Sequence, residues 1–400
     1  KRSSAGAWRP VLPHALNRRI SGRTPIPFAG ASRDIAGARR AIGTLGNCSG
    51  GLTPWGTILT CEENHHEVYG ERDWETGKID KSDCYYGWET VVDYPPEHYG
   101  WVNEVNLKTG AAKKLVALGR FGHESATVNV ARDGRCVVYS GDDRTDRCLY
   151  KFVASKKGSL EKGTLYVASL EQGRWIPIDL KQHPELRKKY KDQLEVLIRC
   201  REVAYEVGGS KLDRPEDIEI DPADGSVLVT LTNNRKKGNH FGSILRIVEK
   251  NSDPLSLEFT HSTFASGGAE TGFACPDNLA FDPRGGLWVT SDIGSSGINK
   301  APYEPFKNNG LFYVPMKGKN AGKFFQVASA PVEAEFTGPS FTPDGKTLFL
   351  SVQHPGEESM SLDSLTSHWP EGGSTKPRPS VVAITGPALE KIAQRLDTGS

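Results

Sequence analysis

The sequence predicts an all-β fold, a six-bladed β-propeller, and three observations support this prediction. A strand–turn–strand pattern recurs along the chain, the turns are rich in glycine, and helical periodicity is confined to short segments. Repetition at intervals of some tens of residues, in units made of strands, is typical of propellers. A propeller would use the whole length, residues 1–400, as a single domain.

The repeated pattern has five copies. Each copy opens on a polar or acidic residue, crosses a tight turn, and continues as an apolar strand with a polar end. Asp-Gly and Gly-Gly turns supply the positive φ that tight hairpins need. The copies are NCSGGLTPWGTILTCEEN from Asn47, GHESATVNVARDGRCVVYSGDD from Gly122, RPEDIEIDPADGSVLVTLTNN from Arg214, CPDNLAFDPRGGLWVTSDIG from Cys275 and EFTGPSFTPDGKTLFLSVQHPGE from Glu335.

The spacing of the copies indicates the number of blades. The last three copies are 61 residues apart, whereas the two earlier intervals are 76 and 92 residues and therefore contain insertions. Five copies and the terminal strands predict about six blades, closed by pairing of the two chain ends. We expect residues 380–384 to supply the closing strand.

Four segments depart from the strand pattern. Residues 1–30 are basic and contain prolines, which predicts an irregular N-terminal arm. Apolar residues at helical spacing predict an inserted helix near 184–207 and a short C-terminal helix at 387–395. The segment 355–377 is polar and rich in Gly, Pro and Ser, which predicts a long exposed loop.

Composition excludes several classes of protein. With 50 basic and 49 acidic residues the formal charge is +1, so a nucleic-acid partner is not expected. No apolar run is long enough to predict membrane insertion. The 7 cysteines are odd in number, and their spacing indicates neither a disulfide framework nor a zinc site. We expect a monomer.

The candidate functional residues lie where the repeated strands begin and end. In a propeller these positions converge on the central channel, where many carboxylates cannot stay ionised together without cations. Oxygen ligands favour hard cations such as Ca²⁺, whereas one thiolate among carboxylates indicates a transition metal, most naturally iron. The candidate metal ligands are Cys48, Glu62, Glu63, Glu124, Asp142, Asp143, Glu216, Asp277, Asp292 and Glu335.

An alternative interpretation exists for each single acid, which could instead cap a turn or lie on the surface. Asp221, Asp282 and Asp344 lie in Asp-Pro or Pro-Asp-Gly contexts and are predicted to be turn residues. The joint recurrence of acids at equivalent positions favours the metal site for the others.

Sequence blocks in unbroken order, from about residue 45 to 358, resemble the signature blocks of the PhoX-type alkaline phosphatase family. A single DPxGxLW motif is shared by many propellers, whereas this ordered set is specific. The blocks are GNCSGGLTPWGTILTCEEN, GRFGHESATV, VYSGDDR, LDRPEDIE, LTNN, CPDNLAFDP with LWVTSD, and FTGPSFTPDGKTLFLSVQHPGE.

The resemblance implies a six-bladed propeller whose channel holds ferric (Fe³⁺) and calcium (Ca²⁺) ions and which hydrolyses small phosphate esters. It also implies export, hence a periplasmic or secreted location with an export signal outside this chain. By position, Cys48 matches the family's iron-ligating cysteine. The residues that match acidic positions of the blocks are Glu62, Glu63, Asn64, Glu216 and Glu335.

One departure from the family concerns substrate binding. Val332 stands where the family carries an arginine three residues before the glutamate of the last block. Loss of that guanidinium would remove a bidentate phosphate contact, unless another arginine enters the site. The candidates are Arg120, Arg144, Arg147 and Arg214. We predict Asn64, Arg144 and Arg214 as the catalytic residues, with Asn64 donating a hydrogen bond to phosphate.

Two other classes of function remain open from the sequence. A calcium-dependent lactonase or esterase propeller would use the acids without a thiolate, so replacement of Cys48 would leave its activity intact. A noncatalytic, metal-stabilised binding propeller would melt at lower temperature in chelator but would not hydrolyse phosphate esters at any metal loading.

Overall fold

The computed structural model describes residues 19–398, and its strands form the five main sheets of a β-propeller. Each sheet is one blade, and blades follow one another in chain order. From the channel outward, the first blade consists of Asn47–Leu52, Thr57–Glu62, Val102–Asn106, Ala112–Leu115, Pro25–Ala29 and Arg40–Ile42. The second blade consists of Thr127–Val130, Cys136–Gly141, Leu149–Ala154, Gly163–Ser169 and Arg174–Pro177.

The remaining blades are shorter. The third consists of Pro215–Ile220, Val227–Leu231, Ser243–Glu249 and Phe259–Ser266. The fourth consists of Pro276–Phe281, Leu287–Ser291, Gly310–Val314 and Phe325–Ser329, and the fifth of Glu335–Phe341, Thr347–Gln353 and Ser380–Thr385. Two small ribbons pair Thr145–Arg147 with Leu212–Asp213 and Glu71–Arg72 with Ile79–Asp80.

The predicted inserted helix is present in three pieces between the second and third blades. They are the 3₁₀ helix Pro184–Lys188 and the α-helices Gln193–Ile198 and Cys200–Glu206. The side chain of Asp192 caps the second piece by accepting a hydrogen bond from the Glu195 amide at 2.8 Å. The helix is interrupted because Arg199 leaves helical geometry at φ −107° and ψ 26°.

The other helices are brief except for the C-terminal one. The predicted C-terminal helix spans Pro387–Thr398, and a single turn of α-helix spans His66–Tyr69. Among the helices of the described residues, none has the length and apolar character needed to cross a bilayer. The remaining 3₁₀ turns are Trp88–Thr90, Pro96–His98, Val116–Leu118, Arg235–Lys237, Lys250–Ser252, Ser295–Gly297 and Glu304–Phe306.

The hydrophobic core lies between adjacent blades. Strand side chains alternate between the two faces of a sheet, so a blade with a neighbour on each side buries both faces. The strands Cys136–Gly141, Val227–Leu231 and Leu287–Ser291 are accordingly buried at every position. In the fifth blade only one face of Thr347–Gln353 is buried, and Phe349 is 40% exposed.

The prediction of six blades is wrong for the described residues, which form five. The two chain ends do not share a sheet. Ser380–Thr385 pairs antiparallel with Thr347–Gln353 and completes the fifth blade, whereas Pro25–Ala29 pairs parallel with Ala112–Leu115 in the outer part of the first. The two chain ends therefore lie in different blades, and each completes the outer part of its own sheet.

The terminal and loop predictions have mixed outcomes. Within the predicted irregular arm, Pro25–Ala29 is a strand whose Ile26 and Phe28 are buried, so the prediction is wrong there. The part of the arm before residue 19 lies outside the described residues. Residues 355–377 contain neither a helix nor a strand.

The three acids predicted to be turn residues are confirmed in that role. Asp221, Asp282 and Asp344 each accept a hydrogen bond from the backbone amide two residues later, at 2.8, 2.8 and 3.1 Å. These Asx turns hold the hairpins between first and second strands of three blades.

Candidate metal centre

The starts of the inner strands and the ends of the second strands line one cavity of about 980 Å³. Glu216 and Asp277 are the second residues of their inner strands, and Glu335 is the first residue of the fifth blade. Glu63 and Asp292 directly follow second strands. Rotation about the propeller axis therefore gathers acids that are far apart in the chain, as the sequence predicted.

A break in strand pairing accompanies the site in four blades. The register between the inner and second strands shifts between Asn47 and Gly50, and at the equivalent places in the third, fourth and fifth blades. A bulge bends a strand and redirects its side chains. Cys48, Glu216 and Asp277 lie inside such shifts, so the same irregularity aims each of them at the axis.

Two residues just before inner strands adopt left-handed backbone conformations. Arg214 has φ 58° and Cys275 has φ 50°, and each precedes a proline. Non-glycine residues adopt this conformation at a cost and are enriched at functional sites. At Arg214 the guanidinium lies in the cavity, among the carboxylates of neighbouring blades.

The donor atoms form two overlapping groups of three. The sulfur of Cys48 and carboxylate oxygens of Glu63 and Glu124 lie within 4.8 Å of one another, and so do oxygens of Glu124, Glu216 and Asp277. Because Glu124 belongs to both groups, the five residues form one continuous set of ligands. Such a set can hold more than one cation.

The electrostatics of the cluster also fit bound cations. Burial raises the pKa of Glu63 and of Glu124 well above the usual range, and repulsion between these and neighbouring carboxylates adds to the shift. Burial, together with the nearby Glu124 and Glu63, likewise raises the pKa of the Cys48 thiol. Each of these shifts favours the protonated group, and a bound cation would offset the repulsion that causes part of it. The mixed sulfur and oxygen donors suit a transition metal beside hard cations.

Arg214 supplies positive charge at the edge of the cluster. Its Nε and Nη2 atoms bind the two carboxylate oxygens of Asp143 at 3.0 and 2.9 Å, and Nη2 also lies 2.7 Å from Glu216 Oε1. Asp292 lies 3.6 Å from the guanidinium. Asp143 and Glu216 occupy Nε and Nη2, so Nη1 is the guanidinium nitrogen that can donate to an anion in the cavity.

Uncharged side chains orient several of the acids. Asn278 donates to Asp277 Oδ1 at 3.1 Å and to Glu124 Oε1 at 3.5 Å, while its own oxygen accepts the Gly338 amide at 2.7 Å. Thr232 donates to Glu216 Oε1 at 2.5 Å. Asn278 and Thr232 were not among the residues predicted from the sequence, although each lies within a repeated block, next to a polar strand end.

The contacts of His354 and His123 indicate different roles for these two residues. His354 lines the cavity, and its Nε2 lies 3.5 Å from Glu335 Oε1. Burial lowers the pKa of His354, but the contact with Glu335 outweighs this effect and raises the pKa to about 9. His123 is buried between Ser140 Oγ and the Gly119 carbonyl, at 2.8 and 3.0 Å. Burial lowers the pKa of His123 to about 3, so it is a neutral structural residue.

The structure contradicts the prediction that Glu62 is a metal ligand. Its side chain is fully buried in the first blade, and both of its oxygens already bind donors. Lys114 and the Leu45 amide bind Oε1, and the amides of Gly100 and Trp101 bind Oε2. The reason is strand alternation, which turns Glu62 away from the face that Glu63 presents to the cavity.

Asp142 and Arg144 are also outside the cluster. Asp142 binds the Arg201 guanidinium at 2.6 and 2.8 Å and the Gly122 amide at 3.1 Å, which leaves it no free oxygen for a cation. Arg144 lies 3.8 Å from the exposed Asp83 and does not line the cavity. Of the acid pair at 142–143 the second member faces the cavity, as in the pair at 62–63.

The predicted catalytic residues Asn64 and Arg214 line the cavity. Val332 is 47% exposed and does not, so nothing replaces the expected arginine at that position. Arg120 is buried elsewhere, bound to Glu71 at 2.8 and 3.0 Å. Arg147 does not line the cavity either, so among the four candidate arginines Arg214 is the one that enters the site.

Comparison with known proteins identifies the family. The sequence profile of alkaline phosphatase PhoX matches residues 1–356. The chain belongs to the PhoX family. Pseudomonas fluorescens PhoX in complex with vanadate, a transition state analogue, is 31% identical, with a TM-score of 0.83 over 96% of this chain and 78% of that chain. This PhoX chain is therefore a metal-dependent phosphatase, a phosphoric ester hydrolase, as the sequence analysis predicted.

Two further solved structures share less with this PhoX chain. A protein of unknown function from Dyadobacter fermentans is 12% identical, with a TM-score of 0.39 over 76% of this chain and 73% of that one. A luciferin-regenerating enzyme is 11% identical, with a TM-score of 0.30 over 72% of this chain and 84% of that one. No curated protein sequence matches the chain.

The stability of this PhoX chain without metal should fall as the pH rises. Burial raises the pKa of Glu216 to about 7 and that of Glu335 to about 8, from the ordinary value of 4.5. The folded state then binds more protons than the unfolded state, so the free energy of unfolding falls between about pH 5 and 8, by up to about 1.4 kcal/mol per pH unit for each group. Urea unfolding of chelator-treated protein measures this slope. Restoring metal should flatten it, and a metal-free stability that rises with pH would contradict the prediction.

Proposed function

We propose that the chain hydrolyses small phosphate monoesters at a cluster of Fe³⁺ and Ca²⁺ in the channel. The observation that carries this proposal is the convergence of one thiol and four acids whose donor atoms lie within 4.8 Å in two overlapping triads. A sulfur ligand favours iron, and the surplus of carboxylates favours calcium. The metal ligands we propose are Cys48, Glu63, Glu124, Glu216 and Asp277, with Asp292 and Glu335 completing the cluster.

The bound ions would neutralise the charge of the phosphate, polarise its P–O bonds and activate water at moderate pH. The chain's own residues bind and orient the ester. The Nη1 amino group of Arg214 donates to a phosphate oxygen, and Asn64 donates a hydrogen bond from its amide. Asn278 and Thr232 hold the acids in place, and His354 holds Glu335. Water adds to phosphorus, the ester P–O bond breaks, and the leaving group departs as an alcohol.

The test is elemental analysis of the purified protein combined with turnover of p-nitrophenyl phosphate. We expect iron and calcium together, with activity that chelators remove and that both metals restore. A protein that binds only calcium and is inactive on phosphate esters would overturn the proposal. The thiol within the donor set disfavours a calcium-only lactonase, in which no sulfur would be needed.

We also propose that the protein acts as a monomer outside the cytoplasm, in the periplasm or after secretion. The export of the family's members supports this location, and calcium sites suit compartments where calcium is abundant. Cell fractionation followed by activity measurement in each fraction tests the location. Activity confined to the cytoplasm would contradict it.

Replacing Arg214 with lysine should weaken phosphate binding about tenfold. Lysine keeps the positive charge beside Asp143 and Glu216 but cannot reproduce the two parallel hydrogen bonds to Asp143 that fix the guanidinium where Nη1 faces the cavity. The inhibition constant of inorganic phosphate measures the effect, with metal content as a check that the cluster persists. The matched control is Arg144→Lys, because Arg144 lies outside the cavity. Equal phosphate inhibition in both variants would contradict the role of Arg214.

A further inference from the structure

Three aromatic side chains form a wall at the cavity, and the metal centre does not account for them. Tyr85, Tyr86 and Trp88 line the same cavity as the metal centre, yet they are 67, 55 and 50% exposed. Exposed aromatic side chains that cluster in this way are characteristic of binding surfaces rather than of cores. We call this group the aromatic wall.

The aromatic wall belongs to a segment inserted between the second and third strands of the first blade, residues 63–101. The blade does not need this segment to complete its sheet, because Thr57–Glu62 pairs directly with Val102–Asn106. The insertion instead covers the side of the cavity. Its aromatic residues Tyr69, Tyr99 and Trp101 are buried in the core, whereas the three residues of the aromatic wall stay exposed at the cavity.

Hydrogen bonds hold the wall in position. The Tyr85 hydroxyl donates to Glu67 Oε2 at 2.9 Å and lies 3.0 Å from the Tyr86 hydroxyl, and the two rings are 4.3 Å apart. Gly87, at φ 71°, then turns the chain into the 3₁₀ helix that begins at Trp88. A surface that is ordered before a ligand arrives loses little entropy on binding.

The wall is connected to the metal centre through one short helix. The Glu67 amide donates to the Asn64 carbonyl at 3.2 Å, so the helical turn His66–Tyr69 joins Asn64 in the catalytic cavity to the carboxylate that anchors Tyr85. A phosphate bound at Asn64 and Arg214 leaves its ester group within the remaining cavity. The wall borders that space.

We propose that the aromatic wall binds the planar ring of the leaving group, and that the preferred substrates are nucleoside 5′-monophosphates. This inference rests on the proposed phosphatase function. The faces of exposed tyrosine and tryptophan rings stack on nucleobases, whereas an alkyl phosphate offers no planar surface. In the reaction, the bond between phosphorus and the 5′ oxygen breaks, water supplies the new phosphate oxygen, and the nucleoside leaves with a 5′ hydroxyl.

The experiment compares adenosine 5′-monophosphate with ribose 5-phosphate. Both have a primary alkoxide leaving group, so they differ chiefly in the base. We expect kcat/KM to be about tenfold higher for the nucleotide, as the contribution of one stacked base predicts. In Trp88→Ala and Tyr86→Ala the ratio should fall to within about twofold, mainly through KM, and Trp88→Phe should retain most of it.

Two controls separate the wall from the catalytic centre. Inhibition by inorganic phosphate, which has no ring, should be unchanged in the wall variants. Phe349→Ala removes a ring that is 40% exposed but lies outside the cavity, and it should leave the ratio unchanged. Equal kcat/KM values for the two esters in the unsubstituted protein, or an unchanged ratio in Trp88→Ala, would overturn the inference.

A binding measurement keeps the inference testable if hydrolysis is absent. Quenching of tryptophan fluorescence, lost in Trp88→Phe, would report adenosine 5′-monophosphate at the wall, with ribose 5-phosphate as the comparison. Nucleotide binding without turnover of either ester would support the wall and overturn the phosphatase proposal. Turnover of both esters with no preference for the nucleotide would support the phosphatase proposal and overturn the proposed role of the wall.

Discussion

Replacing Cys48 with serine is expected to lower phosphatase activity at least about 100-fold and to remove iron from the protein. Mutating a residue that hydrogen-bonds to a metal ligand typically lowers metal affinity or activity 10- to 100-fold. Loss of a ligand itself should lower them at least as much. The Cys48 sulfur lies within 4.8 Å of oxygens of Glu63 and Glu124. Cys48 is the one cysteine in this triad of described residues, so its replacement removes the sulfur ligand. Elemental analysis, the visible absorption of a ferric thiolate and turnover of p-nitrophenyl phosphate measure the three losses.

The matched control is Cys84→Ser. Cys84 is half-buried, donates weakly to the His66 carbonyl at 3.6 Å, and does not line the cavity. Its replacement should leave iron content and activity close to those of the unsubstituted protein. Full activity and iron content in Cys48→Ser would remove the thiol from the metal site and favour a calcium-dependent esterase.

Replacing Lys114 with methionine should lower the free energy of unfolding by about 3–5 kcal/mol, because a buried charge is left without its partner. Lys114 and Glu62 are both fully buried, and the lysine also lies 4.8 Å from the ring of Tyr99. Chemical denaturation of the metal-loaded protein measures the loss. Activity per folded molecule should be unchanged, because Glu62 is a structural acid and not a ligand.

Two further variants test whether the uncompensated buried charge causes the loss of stability in Lys114→Met. Lys250→Met removes a lysine from an exposed pair, in which Lys250 and Glu258 are 60 and 55% exposed, and should change stability by less than about 1 kcal/mol. Adding Glu62→Gln to Lys114→Met should recover part of the loss, since the uncompensated charge is then gone. A loss of iron in Lys114→Met at full stability would instead assign Glu62 to the metal site.

The structure brings most of the predicted metal ligands to one cavity, but the predicted set also contains residues that lie outside it. The blocks around Cys48, Glu216 and Asp277 recur at equivalent places in their strands, so convergence at the axis could be predicted from the pattern. Within the acid pairs 62–63 and 142–143, however, both members were predicted as candidates although only the second faces the cavity. Which member points inward depends on the exact strand end, and a shift of one residue reverses it.

Other residues were beyond prediction because their roles depend on contacts between blades. Asn278 connects acids of two blades with the backbone of a third. Arg214 was predicted as one of several candidate arginines, but which of them enters the cavity depends on its left-handed backbone and on neighbours from other blades. The bulges that redirect the inner strands have no clear residue signature. The aromatic wall is likewise formed by an insertion whose sequence has no strand pattern.

The sequence by itself determined that the chain is an all-β propeller, that it contains helices at 184–207 and near its C-terminus, and that acids and one thiol meet in a phosphatase site. The propeller and the convergence of the acids follow from a local pattern that repeats, and the helices follow from apolar residues at helical spacing. The phosphatase function follows from the resemblance of the ordered blocks to the PhoX family. Only the tertiary structure decided that five sheets form, that Glu62 and Asp142 are structural ion-pair partners, and that Arg214 faces the metal ligands. These outcomes depend on the partner that each strand end and buried charge meets, and that partner comes from a distant part of the chain.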